Sequence, residues 1–395
     1  MTFNRRHFLK GLGILSLAPN TSLTAQPKPT MNNPAFQLAA PPYLQNLTSD
    51  AVTVGAIFNK PCFAWLELLN QSGQPIATKY QVEDGMRRAN STNYLFVVDI
   101  PEDRTLRYRV VAKEIEKFEA YDIQYGKTVI SDIIEAKLAK EDQAEIHCLI
   151  LNDIHERKES YAEMIAKSTL AHKDLIFLNG DSFHYVTTSN DLTEKLFSPL
   201  GEVLGGRTPF VMVRGNHETR GAFARDIKPY FDYPGGNFYH SFKFGPVYWI
   251  VLDSGEDKPD DHEVYGGTVD YDTHRLNQRT WLEDVLQSAE RRAATHTIVV
   301  AHIPFHHSDD WHGTQHSHQC FHDVLQANKV DAVISGHTHR YAFHPPGPNH
   351  NYHVIIGGGP KVGQRTFVDI HATRSTLQIQ LNHENVEVLG RLDKA

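Results

Sequence analysis

Five short motifs carry side chains that can bind metal ions, and each follows an apolar run typical of a buried strand. Their donors are imidazoles, carboxylates and one amide oxygen, without a thiolate, which suits Mn, Fe or Zn. One ion cannot accept all seven candidate side chains, whereas two ions bridged by one carboxylate can. The predicted ligands are Asp153, His155, Asp181, Asn216, His302, His337 and His339.

The spacing inside these motifs favours convergence on a metal ion. In Asp153-Ile154-His155, alternate residues of an extended segment point the same way, so both side chains can reach one ion. His337-Thr338-His339 can present two imidazoles in the same manner or divide them between neighbouring ions. A single Asp-x-His is more often structural, whereas five His/Asp/Asn motifs in this order, each after an apolar run, indicate one shared site.

The order of the motifs resembles that of the calcineurin-like metallophosphoesterase superfamily, which runs D-x-H, G-D, G-N-H-(D/E), H and G-H-x-H, over residues 153–339. The resemblance implies a two-sheet α/β sandwich that hydrolyses phosphate esters by a hydroxide bridging two divalent ions. It implies a first metal held by Asp153, His155, Asp181 and His339, and a second held by Asp181, Asn216, His302 and His337. It also implies that His217 acts beside the phosphate as an acid or transition-state stabiliser, with Glu218 orienting its ring.

The leading expectation is a phosphomonoesterase that acts on small phosphorylated substrates. A phosphodiesterase or nucleotide hydrolase would use the same centre, and a surface protein that binds metal without turnover is a further alternative. Arg214 and Arg220 flank the Gly-Asn-His motif, and their guanidinium groups would donate paired hydrogen bonds to substrate oxygens. Salt bridges to nearby carboxylates account for both arginines equally well.

The elements that must position these residues form an α/β pattern. The chain has 395 residues, for which two domains are the first expectation. Over residues 145–390, apolar runs alternate with amphipathic stretches of helical length, which predicts an α/β domain with its site at the carboxyl ends of the strands. The polar segment His306–His318 is expected as a loop at the rim of the site. The helical candidates are Ser160–Ala171, Leu192–Leu204, Gln278–Arg292 and Gln319–Ala327.

Residues 37–136 instead show evenly spaced short strands, which predicts a small all-β sandwich domain. Ala51–Phe58 and Ala64–Leu69 are two of these strands. The opening of the segment, from Pro41 to Val54, resembles the start of the fibronectin-III-like domain that precedes the catalytic domain of purple acid phosphatases.

The metal motifs depart from those of purple acid phosphatases. Asp153-Ile154-His155 stands where those enzymes have G-D-x-G. His184 stands at the position of their iron-binding tyrosine, and Tyr185 follows one residue later. The departure favours two divalent transition-metal ions over a tyrosinate–iron(III) centre.

The first 30 residues predict an export signal. Arg5 and Arg6 are followed by a short apolar stretch from Gly11 to Ala18 and by small residues near Ala25. This order resembles a bacterial Tat signal, which implies a periplasmic or secreted protein. No later stretch approaches the ~20 apolar residues of a membrane-spanning helix.

Net charge and the numbers of cysteines and histidines limit the partners and cofactors that the chain can be expected to bind. The formal net charge of −8 gives no global basic field for nucleic acid. The three cysteines are too few for a disulfide framework or a thiolate metal site and are expected to be buried apolar residues. The 24 histidines are the compositional outlier and point to metal chemistry.

Overall fold

A computed structural model describes residues 34–395, which fall into an all-β N-terminal part and an α/β part. The predicted export signal of residues 1–30 lies outside the described residues. The N-terminal strands are β1 (Tyr43–Gln45), β2 (Ala51–Leu69), β3 (Pro75–Lys79), β4 (Val82–Glu83), β5 (Met86–Arg87), β6 (Ser91–Asp99), β7 (Thr105–Glu119), β8 (Asp122–Ile130) and β9 (Ile134–Lys137).

Strand β2 organises the N-terminal part. It is 19 residues long, and it pairs with β6 through Ala51–Ile57 and with β7 through Cys62–Leu68. The two predicted strands, 51–58 and 64–69, are therefore halves of one strand, because the backbone stays extended through Pro61. Seven strands share this sheet, while β4 and β5 form a separate hairpin. The absence of helices between residues 43 and 137 agrees with the predicted all-β character.

The α/β part is built on two six-stranded sheets, as predicted. Its strands are β10 (Glu145–Leu151), β11 (Leu175–Asn179), β12 (Phe210–Val213), β13 (His240–Phe244), β14 (Val247–Leu252), β15 (His296–Ala301), β16 (Ala332–Ser335), β17 (Ala342–His344), β18 (His353–Ile356), β19 (Thr366–Thr373), β20 (Leu377–His383) and β21 (Val388–Lys394). The sheet orders are β12-β11-β10-β19-β20-β21 and β13-β14-β15-β16-β18-β17.

The helices lie in the α/β part. They are α1 (Glu159–Lys167), α2 (Ser189–Leu192), α3 (Ser198–Leu204), α4 (Tyr271–Leu286), α5 (Ala289–Ala293) and α6 (His312–Ala327). A π-helical turn, Thr193–Phe197, joins α2 to α3, so this region is interrupted rather than one regular helix. Short 3-10 turns occupy His217–Thr219, Ala224–Asp226, Lys228–Tyr230, Pro234–Gly236 and Glu263–Tyr265.

The prediction that His306–His318 forms a loop is wrong for its second half. Helix α6 begins at His312, well before the predicted start at Gln319. Its buried face includes Thr314 and Ser317 as well as Phe321. Small polar residues thus continue the buried stripe of the helix toward its N-terminus, where the sequence shows no apolar periodicity.

Alternation along the strands produces the layers of the α/β part. In β10, Ile150 faces the core between the two sheets, where the rings of Phe177 and Trp249 lie 4.5 Å apart. The neighbouring Leu149 faces the opposite side, in one cluster with Tyr161 of α1. Helices α4 and α6 cover the second sheet in the same way. The result is a helix–sheet–sheet–helix sandwich.

The N-terminal sheet and the α/β part share one apolar core and belong to one compact unit, Phe36–Ala395. All three cysteines are free and buried, as predicted. None of the helices within residues 34–395 has the length and apolarity to cross a membrane.

Parallel pairing brings the predicted ligands to one edge of the sandwich. Strands β10, β11 and β12 are parallel in the first sheet, and β14, β15 and β16 are parallel in the second. Because parallel strands end at the same edge, the loops that follow them meet there. All five predicted metal motifs lie on such loops.

Candidate metal centre

The backbone at the metal motifs adopts a conformation that most residues avoid. Positive φ angles occur at five of the seven predicted ligands: Asp153 (52°), His155 (45°), Asp181 (54°), His337 (70°) and His339 (56°). Such angles cost on the order of 1–3 kcal/mol each and persist only where the surrounding structure fixes them. The sheet edge therefore holds these loops in a strained, preorganised arrangement.

The first predicted group of ligands converges. The Nε2 atoms of His155 and His339 face each other at 2.9 Å. Asp153 Oδ1 lies 3.5 Å from His155 Nε2 and 3.3 Å from His339 Nε2. Three donor atoms of this kind around one point are the arrangement that a metal ion requires.

The second predicted group centres on His302. Its Nδ1–H donates to the carbonyl of Asn179 at 2.8 Å, because a carbonyl can only accept. This bond directs Nε2 toward Asp181 Oδ2, 3.0 Å away. Metal-binding imidazoles commonly donate their other N–H to a backbone carbonyl in this way.

His337 and Asn216 complete the second group. His337 Nδ1 lies 3.0 Å from Asn216 Oδ1. The ring of His337 stands 5.5 Å from that of His302, nearly at a right angle. Both side chains therefore face the same small volume.

Asp181 lies between the two groups. Its Oδ2 atom is 3.6 Å from His155 Nε2 in the first group and 3.0 Å from His302 Nε2 in the second. Its other oxygen, Oδ1, accepts the backbone N–H of His217 at 3.0 Å, which fixes the carboxylate. One side chain thus contacts donors of both groups, as a bridging ligand must.

The unsatisfied groups at this site fit divalent cations. Asp153 Oδ1 and His302 Nε2 are buried and lack a hydrogen-bond partner among the described residues. Burial lowers the pKa of His302, but the carboxylates of Asp181 and Asp153 raise it to about 10. The pocket therefore demands positive charge, which either a proton or a metal ion can supply. The donor set, imidazole with carboxylate and amide oxygen, suits Mn, Fe or Zn.

Two glycines permit the close approach of the loops. At Gly180, φ is +76°, and an added Cβ would lie 2.3 Å from His302 Nδ1. At Gly215, a Cβ would lie 2.4 Å from Asp181 Oδ1. No other residue type leaves room for the ligands at these positions.

His217 lies beside the two groups in a defined tautomer. Its Nδ1–H donates to the carbonyl of His184 at 2.9 Å, and Arg220 Nη1 donates to its Nε2 at 3.0 Å. A carbonyl only accepts and a guanidinium only donates, so these contacts select a neutral ring protonated on Nδ1. Burial also lowers the pKa of His217, which favours the neutral ring. In this tautomer Nε2 is a hydrogen-bond acceptor and carries no proton.

The structure corrects the expected role of Glu218. Its buried carboxylate accepts the backbone N–H groups of Asp181 at 2.9 Å, Ser182 at 2.8 Å and Gly215 at 2.8 Å. The ring of His217 is held instead by the His184 carbonyl and by Arg220. Glu218 therefore anchors the loops that carry Asp181 and Asn216, because backbone amides surround it.

The two flanking arginines both form salt bridges. Arg214 pairs with the fully buried Asp253 through Nε and Nη2, so its charge is already engaged by that carboxylate. Arg220 pairs with Glu256 through two bonds of 2.8 Å and keeps Nη1 for His217. Of the two, Arg220 is the one that contacts the centre.

Two residues of the site were not predicted as such. Asn152 donates to Asp153 Oδ2 at 2.7 Å and to the carbonyl of Gly358 at 2.8 Å, which fixes the Asp153 carboxylate. His184 Nδ1 lies 3.2 Å from His155 Nδ1. Tyr185, the neighbouring tyrosine, is 58% exposed and outside the ligand groups. The sequence signal for His184 is its place at the iron-binding tyrosine of purple acid phosphatases.

Comparisons with known proteins identify the family of the α/β part. Residues 146–341 match the family model described as calcineurin-like phosphoesterase. Purple acid phosphatase 18 of Arabidopsis thaliana is 28% identical over 222 residues, which are 49% of this chain and 46% of that protein. The serine/threonine-protein phosphatase CPPED1 of Danio rerio is 31% identical over 178 residues, 42% of this chain and 54% of that protein. The chain thus spans about half the length of the curated relatives it matches.

A solved structure extends the likeness beyond the α/β part. Purple acid phosphatase PPD1 from yellow lupin seeds superposes with a TM-score of 0.65 at 15% identity. The superposition covers 90% of this chain and 74% of that chain. At this identity the likeness concerns the fold, and it includes the N-terminal sheet.

Proposed function

Residues 146–341 form a calcineurin-like phosphoesterase domain, and from this premise we propose that the chain hydrolyses phosphate monoesters at a centre of two divalent transition-metal ions. The position of Asp181 Oδ2, 3.6 Å from His155 Nε2 and 3.0 Å from His302 Nε2, is the observation that carries the proposal. A carboxylate oxygen shared in this way is what a two-metal centre needs.

Each ion would be held by four side chains, with Asp181 common to both sets. Asp153, His155, Asp181 and His339 would hold the first ion, and Asp181, Asn216, His302 and His337 the second. When bound, divalent ions offset the negative charge of a phosphate and activate water as the nucleophile. Mn, Fe and Zn all suit this donor set.

Arg220 would stabilise the phosphate as charge develops during the reaction, and His217, whose Nε2 is an acceptor in this tautomer, would act on the phosphate only after it gains a proton. The Arg220 guanidinium, held by Glu256, fixes the ring of His217 through its Nη1 contact of 3.0 Å. A substrate oxygen that displaces this contact would meet a donor already aimed at it. Glu218 acts through the loops it anchors and is a positioning residue.

The names of the relatives support the choice of substrate class. The matched proteins from Arabidopsis and Danio are named as phosphatases, which favours monoesters over diesters. We expect the purified, metal-loaded protein to hydrolyse p-nitrophenyl phosphate faster than bis(p-nitrophenyl) phosphate. The reverse preference would assign the centre to diesters. Full metal content without hydrolysis of either ester would support a binding protein.

Asp181→Asn tests the centre itself. The change keeps the shape of the side chain and removes its charge, so we expect kcat/KM for p-nitrophenyl phosphate to fall at least about 100-fold, or about 2.7 kcal/mol. Asp226→Asn, at an exposed position on a 3-10 turn, is the matched control. Near-wild-type turnover by the Asp181 variant would contradict the two-metal proposal.

The location and domain organisation are also proposals. The Arg5-Arg6 pair supports Tat-type export, and replacing both arginines with lysine should leave the protein in the cytoplasmic fraction of a bacterial host. Wild-type export of that variant would contradict it. The fold likeness over 90% of the chain supports residues 37–136 as a fibronectin-III-like domain and 145–390 as the phosphoesterase domain.

A further inference from the structure

A second cluster of histidines lies on the loop and helix that follow His302. We call His306, His318 and His322 the α6 histidine cluster, since two of its members lie on that helix. Each offers one ring nitrogen, and these three atoms all lie within 4.8 Å of one another. None of the three belongs to the predicted catalytic centre.

The helix presents two of these imidazoles together. His318 and His322 are four residues apart, one turn of α6, and their rings stack at 4.6 Å. His306 stands edge-on to both, 4.6 Å from the first ring and 4.7 Å from the second. Two histidines at this spacing with a third from a neighbouring loop are a known geometry for a divalent ion.

Hydrogen bonding alone does not satisfy the cluster. His306 Nε2 and His322 Nδ1 lie 2.9 Å apart, and the hydroxyl of Tyr352 lies 3.0 Å from each. With neutral rings, the tyrosine supplies one proton, and one of the two facing nitrogens supplies another at most. Three contacts therefore share two protons. Burial and the neighbouring imidazoles lower the pKa of His306 to about 3, so its ring is neutral at physiological pH.

His318 has the orientation of a metal ligand. Its Nδ1–H donates to the carbonyl of Phe305 at 3.1 Å, which leaves Nε2 as a lone pair. Imidazoles that bind metal commonly donate their second N–H to a backbone carbonyl. His306 and His318 also line a surface cavity of about 420 Å³, so an ion can reach them from solvent.

We propose that His306, His318 and His322 bind a third divalent ion, with the chemistry of Zn²⁺, Ni²⁺ or Cu²⁺, separate from the catalytic pair. Three imidazoles without a carboxylate select these ions over Mg²⁺ or Ca²⁺. Tetrahedral Zn²⁺ places its nitrogens about 3.3 Å apart, between the 2.9 Å contact and the 4.8 Å limit of the cluster. The ion would link the loop that carries His306 to helix α6.

Zinc stoichiometry tests the proposal on the full chain. Chelator-treated protein is titrated with Zn²⁺ in a calorimeter, alongside the double variant His318→Gln/His322→Gln. We expect the variant to bind one equivalent fewer than the wild type. His383→Gln, which replaces a histidine on β20 outside the cluster, should retain the wild-type stoichiometry. Equal stoichiometry in the double variant would overturn the proposal.

A measurement on the wild type covers the case in which the double variant does not fold. Diethyl pyrocarbonate modifies accessible imidazoles, and peptide mass spectrometry reports each site. We expect stoichiometric Zn²⁺ to protect His318 and His322 at least about tenfold, while the labelling of His383 stays unchanged. Unprotected His318 and His322 at saturating Zn²⁺ would show that the cluster is a hydrogen-bond network alone.

Discussion

Replacing Glu218 with glutamine tests whether one buried carboxylate holds the loops that carry Asp181 and Asn216 in place. Glu218 Oε2 accepts from Asp181 and Gly215, and Oε1 accepts from Ser182. Glutamine keeps the shape, but one of its terminal atoms is an NH₂ donor. With the amide oxygen at the Oε2 position, the Ser182 N–H loses its acceptor and faces another donor.

The magnitude follows from this single lost acceptor. A buried N–H without a partner costs about 1–3 kcal/mol, and we expect the free energy of unfolding to fall by that amount. Partners that orient metal ligands change metal affinity or activity by about 10–100-fold when they are removed. We therefore expect the Mn²⁺ concentration for half-maximal turnover to rise by about 10–100-fold, because the Asp181 loop loses its anchor.

Urea unfolding and the Mn²⁺ dependence of p-nitrophenyl phosphate turnover measure the two effects. Glu202→Gln, at an exposed position on α3, is the matched control and should change neither. Wild-type stability and wild-type Mn²⁺ dependence in the Glu218 variant would refute the reasoning. Reduced stability with an unchanged Mn²⁺ dependence would assign Glu218 to folding alone.

Three further predictions follow from charge and burial. Arg214→Ala breaks the pair with buried Asp253 and should lower the free energy of unfolding in urea by about 3 kcal/mol, whereas unchanged stability would show that the pair contributes nothing. Burial lowers the pKa of His240 to about 4, while an unfolded histidine has a pKa of about 6.5. The unfolded chain therefore binds the proton first, so stability should fall by up to about 3 kcal/mol as the pH drops from about 6.5 to about 4. His240→Phe should remove this part of the acid sensitivity in urea unfolding, and an identical pH profile would refute the assignment. With His184 at the tyrosine position and Tyr185 exposed, the iron-loaded protein should show no tyrosinate–iron(III) band in its visible spectrum, and a purple preparation would contradict this.

Much of the fold follows from apolar patterning. Continuous apolar runs such as Ile146–Leu151 and Val247–Leu252 became buried strands, because both faces of a sandwiched sheet lie in a core. The start of α6 could not be read in this way, since its first turns bury Thr314 and Ser317 rather than apolar side chains. The prediction of this helix boundary was wrong because the buried residues there are polar rather than apolar.

The candidate site was predictable at the level of residue type. Side chains that carry metal chemistry, such as Asp181 and His302, are visible in the sequence because few other roles need those types after each strand. Glu218 and Asn152 were different, because Glu218 binds backbone amides, and Asn152 reaches the Gly358 carbonyl as well as the neighbouring Asp153 carboxylate. Backbone groups have no sequence signature, so only the folded chain shows which side chains they recruit.

The contacts of Asn179 link the geometry of the candidate metal centre to the alignment of the two sheets. This residue ends β11 in the first sheet, yet its carbonyl orients His302 at the end of β15 in the second, and its side-chain amide donates to Ile334 in β16 at 3.3 Å. A small shear of one sheet across the other would therefore change the orientation of the His302 ring. We therefore expect substitutions between the sheets, around Trp249, to lower the affinity for metal ions while the protein stays folded.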